Sequence, residues 1–276
     1  MMDLLALGRS GVLAFQNALN ATGDNVANAD TPGFVRRRIV LATQPTGSGG
    51  PFQRASLSGA GVRVASLVRD VDPLKANAAR IASGDQARMG ARLDWLQRLE
   101  SLATTADVVG RVGAFFDAAT RLAAAPTQPA ARAVFLDAAE DAAAAFSGHG
   151  RDLEQLEGDI RAEAKLSTRR VNDLAAALVK VNDQLRRGDK GDIAAAGLLD
   201  NRDRLLADLA NEVRLSVSEG ERGVVEVKLG SGPSAVLLVP RAGNSSRIGV
   251  APDGQSVLLD PDHEPVPLRL PASGRL

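Results

Sequence analysis

The sequence has no cysteine and no tyrosine. Disulfides, thiolate catalysis and Cys-based zinc sites are therefore excluded. Aromatic residues make up 3% of the 276, and Trp95 is the single tryptophan. A core must come mainly from Ala, Leu and Val, which suits helices. Net charge is formally zero, with 33 basic and 33 acidic residues. No charge excess draws the chain to nucleic acid or to an anionic membrane. No apolar run approaches the roughly 20 residues of a membrane helix, so no membrane insertion is expected. Asp3 stands where the basic region of a Sec signal belongs, and Arg9 interrupts the apolar residues that follow. If the protein leaves the cell, it must use another route.

Signatures of catalysis are equally scarce. His149 and His263 each lie in a stretch flanked by Gly or Pro, with no second His at metal-ligand spacing. Both read as solvated loop histidines. The stretch Thr46-Gly47-Ser48-Gly49-Gly50 lacks the Gly-Lys-Ser/Thr ending of a phosphate loop. No Gly-x-Ser-x-Gly elbow is present. No catalytic residue, cofactor or metal is expected.

What the chain does have is helical periodicity. Leu5, Gly8, Val12, Phe15, Leu19, Thr22 and Val26 recur in steps of three and four, the seam of an amphipathic helix over residues 3–28. Asp30-Thr31-Pro32-Gly33 ends it. Residues 34–43 and 61–71 read as extended and able to pair around a Gly/Ser/Pro-rich loop.

Helical character then runs from Pro73 to about Val213. Met89, Leu93, Leu96, Leu99 and Leu102 form a stripe around Trp95, and Val112, Phe115, Phe116, Ala119 and Leu122 form a second. A third helix is expected over 130–146, with a break at Ser147-Gly148-His149-Gly150. A long fourth covers 151–187, its seam running through Leu153, Ile160, Val171, Leu174, Leu178, Val181 and Leu185. After the Gly188–Asp192 loop a short helix is expected from about Leu198. Alternation of apolar and polar residues from Val213 to Val239 marks strands. The expected fold is mainly α with appended β: an N-terminal amphipathic helix, an elongated helical bundle, and a small β domain read as incomplete. The expected divisions are residues 1–34, 35–72, 73–213 and 214–276.

Two charged clusters invite a chemical reading. Asp200, Arg202, Asp203 and Arg204 could serve acid–base work in a soluble helical enzyme. Their helical spacing favours an exposed i,i+4 pair, Asp200 to Arg204, worth a few tenths of a kcal/mol. Arg36-Arg37-Arg38 is too short a run, in too neutral a chain, for a nucleic-acid site. It reads as a solvated strand face.

The specific signal is Asn28-Ala29-Asp30-Thr31-Pro32-Gly33-Phe34. Asn28 tolerates the left-handed geometry that ends helices. Pro32 keeps Thr31 extended. This block resembles the Asn-x-x-Thr-x-Gly-aromatic signature of the flagellar rod, hook and hook-associated axial family. The segment Leu198-Leu199-Asp200-Asn201-Arg202-Asp203 resembles the Leu-Leu-Asp-x-Arg-Asp core of the hook-associated protein 1 branch, rather than rod- or hook-type members.

The resemblance implies a structural, non-enzymatic subunit polymerising at the hook–filament junction by coiled-coil packing. Its partners would be further copies, hook protein, other hook-associated proteins and the flagellar export apparatus. Its place would be extracellular, in the flagellum, reached by type III export. Leu5, Val12, Phe15, Leu19 and Val26 would be the assembly residues. Members of this family continue further and finish with a C-terminal amphipathic helix packed on the first. The chain is therefore expected to be a truncated product, a fragment or a shortened relative. Its N-terminal helix is expected to gain order only from neighbouring subunits.

Overall fold

The computed structural model describes residues 4–31, 33–44, 61–105, 107–188, 193–233, 235–251, 256–259 and 266–267. Pro32, most of the expected 44–59 loop, residues 189–192 and His263 lie outside the described residues.

Helix α1 (Leu4–Ala27) is followed by strands β1 (Arg37–Thr43) and β2 (Val62–Arg69). These pair antiparallel from Arg37 opposite Arg69 to Thr43 opposite Val62, with an irregularity at Val40/Leu41. Helix α2 (Pro73–Thr105) comes next. Asp72 caps it, its Oδ1 accepting from the N–H groups of Leu74 and Lys75 at 3.0 and 3.2 Å, and Pro73 fills the first turn, where no donor is needed. Helix α3 (Val108–Ala124) ends ahead of Pro126. Helix α4 (Pro129–Arg187) then runs for 59 residues, about 90 Å at 1.5 Å per residue.

Helix α4 has no break at 147–150. Each glycine there costs only about 1 kcal/mol relative to Ala. Stopping and renucleating the helix between an Ala-rich run and a Leu/Glu/Arg-rich run would cost more. His149 thus sits within α4, half-buried, not in a loop. Helix α5 (Ile193–Glu212) also begins earlier than expected, because Ala194, Ala195 and Ala196 are strong helix formers.

Helix α3 returns along the start of α4. Phe115 meets Phe135 at 5.3 Å between ring centroids, and Arg111 pairs with Asp141 at 2.7 Å. Helix α5 runs antiparallel to the other end of α4, where the Ser167 hydroxyl donates to Glu212. Strands β3 (Leu215–Glu219), β4 (Val225–Leu229) and β5 (Val236–Val239) form one antiparallel sheet, and β6 (Arg247–Val250), β7 (Ser256–Leu259) and β8 (Val266–Pro267) another.

The core lies where these layers meet. Val171, Ala175 and Leu178 of α4, with Leu206 and Leu209 of α5, pack against Val225, Val227, Leu229, Leu238, Val239 and Ile248. The α4 seam is thus covered by strands as well as by α5, and packing runs straight across the change of secondary structure near Leu215. Toward the N-terminal end of α4 the seam opens, leaving Leu153 38% and Ile160 43% exposed. The α2 stripe of Met89, Leu93, Leu96 and Leu99 is likewise 42–55% exposed.

Candidate assembly interface

Helix α1 has two faces of opposite character. One docks on its own chain. Ala14 and Ala21 are 2% and 8% exposed there. At one end of this face the Val62 N–H donates to Ser10 Oγ at 3.1 Å, and Gly61 approaches so closely, at φ +122°, that a Cβ would strike the Ser10 side chain. At the other end Asn25 Nδ2 donates to the Arg37 carbonyl at 2.8 Å, and the Arg37 N–H donates back to Asn25 Oδ1 at 2.8 Å. Small side chains between these anchors let helix and hairpin approach. Order in α1 therefore has a source within the chain, contrary to the expectation that only neighbours supply it.

The other face points outward. Leu5, Val12, Phe15, Leu19 and Val26 are 81%, 62%, 64%, 70% and 74% exposed. Gly8 and Thr22, the remaining seam positions, are exposed too. Burying a side chain of this size is worth about 1.5–3 kcal/mol, so a contiguous stripe of five favours contact with another surface.

The turn that follows redirects the chain. The Asn28 N–H and its Nδ2 both donate to the Asp24 carbonyl at 3.0 Å. The Thr31 N–H donates to the Asn28 carbonyl at 3.0 Å, and Thr31 Oγ1 lies 3.3 Å from Asn28 Oδ1. Gly33 sits at φ +80°, a region other residues resist. The Phe34 N–H donates to the Thr31 carbonyl at 3.1 Å, and its ring carries the Arg37 guanidinium 5.2 Å from the centroid.

The Asp200 cluster differs from the sequence reading. Asp200 is buried at 7% exposure, whereas Arg204 is exposed, and the partners of Asp200 come from the hairpin. It accepts from Arg37 Nη2 at 2.5 Å and from Arg69 Nε at 2.9 Å. Asp203 accepts from Arg69 Nη2 at 2.7 Å and from Arg202 Nη2 at 2.7 Å. Arg202, 6% exposed, also donates to Glu219 Oε1 at 3.0 Å and to the Gly223 carbonyl at 2.6 Å. The middle of the Arg36–Arg38 run is thus an internal ligand of Asp200; Arg36 and Arg38 remain exposed. Both oxygens of each carboxylate accept from a guanidinium, which suits a structural joint better than proton transfer. Leu198 and Leu199 pack beside Val181, Leu185 and Val224.

Arg80 borders the same cluster from α2. Burial lowers its pKa below the usual range, and the nearby Asp203 charge opposes that shift. Sequence reasoning missed Asn25, Arg37, Arg69 and Glu219. Their partners lie too far along the chain for spacing to reveal, and only the Arg run hinted at them. Among the described residues, no group of three or more His, Asp or Glu is placed to hold a metal ion, and no helix is long and apolar enough to cross a membrane.

Residues 5–34 match the model of the flagella basal body rod protein family. Residues 93–257, more than half of the chain, match the model of the flagellar hook-associated protein FlgK helical domain. The chain belongs to the FlgK hook-associated protein family.

It is 25% identical to flagellar hook-associated protein 1 of Escherichia coli (strain K12) over 265 residues, 91% of this chain and 47% of that protein. It is also 25% identical to flagellar hook-associated protein 1 of Bacillus subtilis (strain 168) over 258 residues, 91% of this chain and 50% of that protein. The chain thus spans about half the length of these curated relatives. The structure of the flagellar hook junction protein FlgK from Burkholderia pseudomallei is similar with a TM-score of 0.59 at 14% identity, over 71% of this chain and 37% of that one. That likeness concerns the fold.

Proposed function

We propose that this chain is a structural, non-enzymatic subunit of the bacterial flagellum that polymerises at the hook–filament junction. Copies associate by packing the outward seam of α1 against neighbouring axial helices in coiled-coil fashion. The observation that carries this reading is the stripe of five exposed apolar side chains on a helix whose other face is already anchored. Family membership and the names of the relatives support it. The partners are further copies of the chain, hook protein, other hook-associated proteins and the export apparatus. The place is outside the cell, in the flagellum. A rod- or hook-type role is the weaker reading, because the rod-protein match covers only residues 5–34 while the hook-associated match covers residues 93–257.

The test is to shear flagella from cells producing the tagged chain and probe the hook, junction and filament fractions. Enrichment at the junction is the expected result. Recovery of the chain only from the cell body would refute the proposal.

A further inference from the structure

Three parts of the chain meet at Arg37. Its backbone is fixed to α1 by the two hydrogen bonds to Asn25. Its guanidinium rests on Phe34 of the helix-ending turn and reaches Asp200 of α5, 163 residues away. Arg69 stands directly opposite Arg37 in the hairpin register and binds both Asp200 and Asp203. Arg202 carries the network on to Glu219 of β3. The side chains of Arg69 and Asp200 are 8% and 10% exposed, and those of Arg37 and Asp203 20% each, so water screens the centre of this network little, whereas Glu219, 52% exposed, is its open end.

The register makes the acids necessary. Two arginines face one another across the hairpin, and like charges directly opposite destabilise a strand pair. Asp200 sits between their guanidiniums and resolves the repulsion, but only while the hairpin lies on α5. The planar guanidinium forks also fix direction, which a point charge would not. The turn after α1 and the Leu198–Asp203 segment, two motifs far apart in sequence, are thereby two halves of one joint.

We propose that this ionic joint sets the direction in which α1 points from the helical body, making Arg37 and Asp200 positioning residues for the assembly surface. The proposal rests on the reading of the α1 seam as that surface. A subunit whose α1 swings freely presents its seam in many orientations, and a regular array accepts few of them.

The absence of cysteine allows spin labels at two exposed sites of the full chain, Gln16→Cys on α1 and Asp208→Cys on α5. Pulsed distance measurement on the labelled monomer should give one narrow peak. Arg37→Gln or Asp200→Asn should replace it with a broad distribution while α1 and the body keep their helical circular dichroism. Arg37→Lys, which keeps the charge without the fork, should broaden it partly and serves if the other variants fold poorly. In cells, the broadened variants should be lost from the junction fraction. An unchanged narrow peak in these variants overturns the joint. A broadened peak with undiminished incorporation overturns its role in positioning. Absence of the unsubstituted chain from flagella would instead strike the underlying functional reading, leaving the distance result to judge the joint.

Discussion

Asn182 and Val225 exchange two hydrogen bonds. Asn182 Nδ2 donates to the Val225 carbonyl at 2.8 Å, and the Val225 N–H donates to Asn182 Oδ1 at 3.0 Å. Asn172 does the same with Ile248, at 2.9 and 2.8 Å, and Asn25 with Arg37. In each case a helix-borne amide offers a strand residue the donor and acceptor that a neighbouring strand would offer. Val225 lies just beyond the β4–β5 pairing, which covers Val227 to Leu229. A strand edge left open there would invite pairing with another chain. These asparagines close such edges and fasten the helices to the strands.

Asn182→Ala should therefore cost more than an ordinary polar substitution. It leaves the buried Val225 N–H and carbonyl unmet, at roughly 1–3 kcal/mol for each group. Asn25→Ala, at a half-exposed site, should cost less, because water replaces the amide. Urea unfolding of both variants checks the order; equal losses would mean that Asn182 is not a buried fastener.

The α4 seam gives a graded prediction. Leu178 is fully buried in the shared core, whereas Leu174 is partly buried at its margin. Leu178→Ala should cost about 2–5 kcal/mol and Leu174→Ala less. Because the core joins α4 and α5 to the strands, Leu178→Ala should lower a single transition seen by both circular dichroism and amide exchange in β4. Separate transitions for helices and strands would show that the two layers do not share one core.

Periodicity displayed much of this architecture. The α1 seam and the 151–187 part of the long helix follow from a repeat of 3.5 residues, the second strand of the hairpin from alternation, and the turn from Asn28 to Phe34 from local backbone chemistry. What stayed hidden depends on distance along the chain. Nothing near Asp200 announces that Arg37 and Arg69 will bury it, so the local i,i+4 pairing looked sufficient. Gly148 and Gly150 looked like a stop because propensity is local, while the helix through them is sustained by the segments on either side. The small face of α1 escaped notice because Ala14, Ala21 and Asn25 carry little hydrophobic signal, although they decide how the helix is held.

Gly84 separates propensity from packing. In a helix interior, Gly→Ala should stabilise by about 1 kcal/mol. Here a Cβ would lie 2.5 Å from the Ala210 carbonyl oxygen, where α2 crosses α5. Gly84→Ala should instead destabilise, by about 1–3 kcal/mol as overpacking does, and should shift the fluorescence of Trp95 on the displaced α2. A higher melting temperature would show that this crossing relaxes easily.

The two faces of α1 can be tested one residue apart. Ala14 is 2% exposed against the hairpin, and Phe15 is 64% exposed on the seam. Phe15→Asp removes apolar surface that is mostly open to solvent in the single chain, so the monomer's melting temperature and the amide protection of α1 should stay nearly unchanged. Junction incorporation should be lost, because a charge in a buried helix contact costs several kcal/mol unless it is paired. Ala14→Leu has the opposite signature. It leaves the seam chemistry intact but forces α1 off the hairpin, at about 1–3 kcal/mol for overpacking, so amide exchange across residues 4–27 should accelerate in the monomer. Incorporation should fall here as well, through loss of a fixed helix rather than loss of the contact. If Phe15→Asp also accelerated exchange in the monomer, the seam would be holding α1 within its own chain and could not be the surface offered to neighbours.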